Sequence, residues 1–242
     1  MNEICYAACS CYNRDKGHLI ILPAKVSSHI GFVPIGELYL GTDKPHDNDI
    51  LRLIGKSFQF VEIGKDEKGV SLYSRKPIIE AKVKEYFEKY EKGEIVEGEV
   101  YSSSKDALYL ELSPGVTAIL YKSELVTTKL DNPTDVFKIG DKIQCKIIAY
   151  KEEKCHFEVS YRRLFSDDKI VFGEGSTVEC TVYSKKIDDE GNLCGYYVAL
   201  TPSIAGLLID TTREYLPGEK INATIMNPKP KYIRVKDLSC AA

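Results

Sequence analysis

The chain has 242 residues, 43% of them hydrophobic and 29% charged, with a formal net charge of −3. This composition suits a packed core and excludes wholesale disorder. No stretch approaches the roughly 18 consecutive apolar residues of a membrane helix, and the start, Met1, Asn2 and Glu3, lacks the basic residues of a secretory signal, so the expected compartment is the cytoplasm.

Residues 1–76 carry the first copy of a recurring pattern: a cysteine-rich opening, the apolar segment IGFVPIGEL at 30–38, then IGKSFQFVEIGKDEKGVSLYSRK at 54–76. Residues 77–92 break the β pattern. They begin at Pro77 and place Ile79, Val83, Tyr86, Phe87 and Tyr90 at helical spacing, which predicts an amphipathic linker helix ended by Gly93. The second copy, 93–164, has strand pairs at 94–116, TAILYKSEL at 117–125 and a hairpin at 139–163. In that hairpin Ile143, Cys145, Ile147 and Ala149 alternate with Gln144, Lys146, Ile148 and Tyr150, the signature of a half-buried strand. The third copy, 165–242, repeats the scheme with strands over 176–204, IAGLLIDTT at 204–212 and PGEKINATIMNPKPKYIRVKDL at 217–238.

The glycines opening the three hairpins are Gly55, Gly140 and Gly218, so the period is that of a domain rather than of a solenoid unit. Five strands per copy, with a loop between the third and fourth, predict an all-β chain of three tandem five-stranded Greek-key barrels.

Eight cysteines include no C-x-x-C pair and no histidine at zinc-ligand spacing, so no metal or other cofactor is expected, and thiols in apolar strands act as small hydrophobes. The acidic run Asp188, Asp189, Glu190 reads as a hairpin turn, D-D-E-G-N. His18, His29, His46 and His156 are scattered, without a nucleophile or carboxylate at useful spacing, and the chain is expected not to be an enzyme.

The second copy resembles the S-one-type RNA-binding domain family, which implies the oligonucleotide/oligosaccharide-binding fold for the barrels. The resemblance rests on GEIVEGEV (93–100), ALYLEL (107–112), GVTAILYKSEL (115–125), FKIGDKI (137–143) and FEVSYRR (157–163). The first and third copies match more loosely: the first keeps IGFVPIGEL, and the third keeps GYYVAL and IAGLL but loses the Ser-Glu-Leu turn. The resemblance implies that bases stack on Tyr109 of the second copy and Tyr197 of the third, with Tyr121 at the family's histidine position, where the other copies have Pro34 and Ile209.

Nearby candidate phosphate contacts are Lys105, Lys122, Arg162 and Arg163 in the second copy, and Lys185, Lys186 and Arg213 in the third. Phe32 of the first copy aligns with a buried strand, which marks that copy as a structural or docking module. With 33 basic against 36 acidic residues, binding must rely on local patches and on stacking. The implied partner is single-stranded RNA, in translation or RNA metabolism, with no membrane or small-molecule substrate; the alternative is a protein-interaction adapter docking on the ribosome or another RNA-processing protein.

Overall fold

The computed structural model describes residues 4–24, 30–42, 44–151, 155–165, 170–209, 213–229 and 232–240. Its strands form three closed five-stranded barrels. The first comprises β1 (Ile4–Asn13), β2 (His18–Pro23), β3 (Gly31–Pro34), β4 (Ser57–Lys65) and β5 (Ser71–Ser74), with a short helix α1 (Asp47–Leu51) between β3 and β4. Helix α2 (Lys76–Lys89) follows. The second barrel comprises β6 (Ile95–Ser103), β7 (Ala107–Ser113), β8 (Val116–Tyr121), β9 (Lys142–Lys151) and β10 (His156–Ser160), with a one-turn helix α3 (Lys122–Leu125) after β8. The third comprises β11 (Thr177–Ile187), β12 (Leu193–Thr201), β13 (Ile204–Leu208), β14 (Lys220–Lys229) and β15 (Tyr232–Asp237).

All three share one strand order, first-second-third-fifth-fourth around the barrel, with the third and fifth strands parallel. The repeated glycines explain why the sequence pattern recurs. Gly55, Gly140 and Gly218 have φ of 79°, 96° and 87°, a left-handed conformation in which a Cβ is strained. In each barrel this turn latches the fourth strand to the first. The glycine N–H donates to the carbonyl of Cys9, Val100 or Val182, each at 2.8 Å, and that same residue's N–H donates back to the residue after the glycine.

The alternation expected in β9 is present: Ile143, Cys145 and Ile147 fill the second barrel, beside Val96, Val100, Leu108, Leu110 and Phe157. The thiols of Cys9, Cys145 and Cys180 are buried too, and burial pushes them up to about 11, 12 and 12, which leaves them protonated small hydrophobes.

The chain divides into two compact units. One holds the first barrel with α2, together with residues 114–116 and 151–155; the other holds the rest of the second barrel and all of the third. Helix α2 buries Ile79 and Val83, but Phe87, expected on the same stripe, is 53% exposed. The helix ends at Lys89, before Gly93, whose N–H instead donates to the Ile147 carbonyl at the start of the second barrel. No helix among the described residues is long and apolar enough to cross a membrane.

Candidate nucleic-acid interface

On the outer face of the second barrel, inward residues of β7 and β8 (Leu108, Leu110; Ala118, Leu120) alternate with outward ones (Tyr109, Glu111; Ile119, Tyr121). Tyr109 is half-buried and Tyr121 is 38% exposed, so both rings present a face on neighbouring strands. Beside Tyr109 lies Tyr101 of β6, with ring centroids 6.4 Å apart and planes inclined at 43°. Sequence reasoning missed Tyr101. A bulge interrupts the β6–β7 register between Val100 and Ser102, so the cross-strand neighbour of Tyr109 could not be read by counting alternation from GEIVEGEV.

The same face is graded in charge. At one end Glu99 stands opposite Glu111; at the other, the tyrosines adjoin the β6–β7 turn, where Lys105 is exposed. Lys122 ties that turn down: its ammonium donates to the carbonyls of Lys105 (3.2 Å) and Asp131 (3.0 Å) and lies 3.4 Å from the Asp106 carboxylate.

Arg162 and Arg163 close on Glu124 of α3. Arg163 makes a two-pronged pair with both its contacts at 2.9 Å, whereas Arg162 sits at 3.4 and 3.5 Å. Burial would raise the Glu124 carboxyl, but the bonds from Arg163, Ser160 and Arg162 outweigh it and hold the group below its usual range. The Tyr161 N–H also donates to the Glu124 carbonyl at 3.0 Å. The Ser-Glu-Leu turn and the Ser-Tyr-Arg-Arg ending are therefore two halves of one clamp that fixes the end of the barrel, and Arg163 is committed to it.

The third-barrel candidates lie differently. Tyr197 is 5% exposed, so its ring offers no open face for a base, contrary to the expectation from its alignment. The reason is the segment between β8 and β9, which lies against the third barrel. Thr127 N–H donates to the Ser203 carbonyl at 2.8 Å, Ala205 N–H donates to the Thr128 hydroxyl at 3.0 Å, and the Ser184 hydroxyl is 3.3 Å from Asp135. Lys186 donates to Asp131 at 2.7 Å and to the Tyr197 hydroxyl at 3.0 Å. Burial, together with Asp131, pushes the Tyr197 phenol up to about 12, against the lowering effect of Lys186.

Lys185 pairs with Glu214, and Arg213 pairs with Glu219 (2.7 Å) and the buried Asp237 (3.2 Å) while its guanidinium packs 3.9 Å from the Tyr215 ring centroid. The structure thus brings Tyr109, Tyr121, Lys105 and Lys122 to one face, gathers Arg162 and Arg163 at Glu124, and keeps Tyr197, Lys185, Lys186 and Arg213 in the third barrel with acidic or buried neighbours.

The first barrel differs from its expectation at Phe32. Gly31 and Val33 point inward, so Phe32 faces outward and stacks on His18 of β2, with centroids 4.3 Å apart. Burial, with Lys16, lowers the His18 pKa, which leaves the imidazole neutral near pH 7. In the D-D-E-G-N turn the Asp188 carboxylate accepts from the Glu190 and Asn192 N–H groups, so its oxygens are used in the turn itself.

Residues 89–162 match the family model for the S1 RNA binding domain. The match takes in nearly the whole of the second barrel. The chain is 28% identical to the small ribosomal subunit protein bS1 of Leuconostoc lactis over 92% of its own length and 53% of that protein's. It is also 28% identical to a 4-hydroxy-3-methylbut-2-enyl diphosphate reductase of Clostridium acetobutylicum, over 86% of this chain but only 31% of that protein. The chain therefore spans about a third to a half of these relatives. A multidomain protein with nucleic acid binding domains from Streptococcus pneumoniae aligns with 97% of this chain and 72% of its own, at 12% identity and a TM-score of 0.28.

Proposed function

We propose that the chain binds single-stranded RNA without catalysing a reaction, through the outer face of the S1 barrel, 93–164. The observation that carries this is the ring set Tyr101, Tyr109 and Tyr121 on adjacent strands, next to Lys105 and Lys122. A base stacked on an aromatic ring contributes ~1–3 kcal/mol, enough for two or three rings to support binding on an acidic chain. Translation or RNA metabolism in the cytoplasm is the setting this reading favours, supported by the likeness to small ribosomal subunit protein bS1. The reductase likeness covers too little of that enzyme to carry its activity here. A gel-shift titration with unstructured RNA at low salt tests the reading: Tyr109→Ala combined with Tyr121→Ala should weaken binding, and an unchanged titration would sink it.

A second reading, a protein-interaction adapter docking on the ribosome or another RNA-processing protein, is favoured by the first barrel, where Ile4 (51%), Tyr6 (60%) and Leu22 (48%) are exposed. A partner whose capture survives nuclease treatment and is lost with Tyr6→Asp would support it.

A further inference from the structure

Two clefts flank the segment joining β8 to β9, and they share the wall formed by Thr128 and Lys129. The larger, about 400 Å³, has Lys122, Lys129 and Arg162 around an apolar floor of Val126 and Leu130. The smaller, about 150 Å³, has Lys129 and Arg234 at a wall of the third barrel. Neither has an aspartate or glutamate among its described lining residues, although acidic residues outnumber basic ones in the chain. Lys129 and Arg234 are both exposed. Arg162 holds Glu124 only at 3.4 and 3.5 Å, the looser of the two arginines on that carboxylate.

We propose that this seam between the second and third barrels is a second RNA-backbone site, in which Arg162, Lys129 and Arg234 contact successive phosphates of a strand whose bases stack on the S1 barrel. The inference rests on the RNA-binding reading and extends it. The larger cleft is of the size that takes a small ligand, and its polar groups converge over an apolar floor, as a nucleotide with its charged phosphate requires. The cations read charge rather than sequence, because phosphate contacts position a strand without specifying its bases. The seam also gives the third barrel a part in binding that does not depend on an exposed ring at Tyr197.

The test uses the full chain and fluorescence anisotropy with two unstructured RNAs, about 6 and about 18 nucleotides long, since one such barrel covers roughly 4–16 nucleotides. Lys129→Ala combined with Arg234→Ala changes two exposed side chains. It should weaken binding of the long RNA by about tenfold and lower its salt slope by ~1.4, at ~0.7 per phosphate contact, while leaving the short RNA unaffected. Equal loss on both lengths, or no loss on the long RNA, would overturn the seam site while leaving the tyrosine face standing if Tyr109→Ala still weakens both. Loss of a nuclease-resistant protein partner in this variant, with both RNA affinities unchanged, would assign the seam to protein and also overturn it. Failure of the unaltered chain to bind either RNA would end the underlying reading as well.

Discussion

The ammonium of Lys186, on the first strand of the third barrel, lies 2.7 Å from the carboxylate of Asp131, in the segment that leaves the second barrel after β8. Burial disfavours the charged Asp131, but its bonds to Lys186 and the Tyr197 hydroxyl prevail, so the carboxyl is held below its usual range. A group depressed in this way contributes stability above its unfolded pKa, and that contribution is lost as pH falls through the lower folded value. Because the two side chains are 28% and 43% exposed, the pair is worth about 1 kcal/mol or less. Asp131→Asn is therefore expected to leave both barrels folded while speeding hydrogen exchange of the Thr127 and Ala205 amides, as read by NMR. The difference from the unaltered chain should vanish as pH falls through the lowered folded value, where the native carboxyl is protonated as well.

Glu124→Gln removes the carboxylate charge and turns one of the two oxygens that accept from Arg162 and Arg163 into a donor. Hydrogen bonds to charged groups contribute roughly 1.5–3 kcal/mol, and Glu124 is 13% exposed, so solvent screening discounts little of that. The expected result is a urea midpoint lowered by an equivalent amount at neutral pH, with the gap to the unaltered chain closing as Glu124 itself protonates below its usual range. An unchanged midpoint would show that the clamp is idle.

Tyr101→Ala should weaken single-stranded RNA binding by ~1–3 kcal/mol if a base stacks on the Tyr101–Tyr109 pair. Tyr197→Phe, by contrast, should leave RNA affinity unchanged and cost only the hydroxyl's bonds with Lys186 and Asp131. Isothermal titration of the two variants with one RNA separates a half-buried ring from a buried one.

Gly195 has φ of 141°, and a Cβ at this position would collide with the backbone carbonyl of Leu208 on the neighbouring strand β13. Gly195→Ala is expected to destabilise the third barrel by about 1–3 kcal/mol, because a strained backbone conformation is added to a steric clash. Thermal unfolding followed by circular dichroism checks this; a melting curve that overlays the native one would contradict it.

The barrels were legible in the sequence because the glycine that opens each fourth strand, Gly55, Gly140 or Gly218, is demanded by a backbone latch that recurs in all three copies. Tyr109 and Tyr121 were picked out by the resemblance of the second copy to the S-one-type family, and they occupy outward positions of β7 and β8. Tyr101 was hidden by a bulge, a one-residue slip that no pattern of residue types marks. Phe32 was misplaced because β3 has only four residues, too short for alternation to fix its phase against the alignment. Tyr197 was misread for another reason: its burial comes from residues 127–135, far from it in sequence, and no local pattern records which surface a distant segment will cover.

Surface connections ordinarily absorb insertions and deletions, since little depends on their length. The segment from Val126 to Asp135 inverts that rule, because its backbone and side chains bond to the third barrel at Ser203, Ala205, Ser184 and Lys186. One added residue would leave both barrels closed yet shift every one of these contacts out of step. The turn Asp188–Asn192, whose hydrogen bonds are satisfied within itself, is where the chain can lengthen at little cost. In the second compact unit, then, the tolerance for engineering lies in the hairpin tip, and the stretch that looks like a mere connector behaves as core.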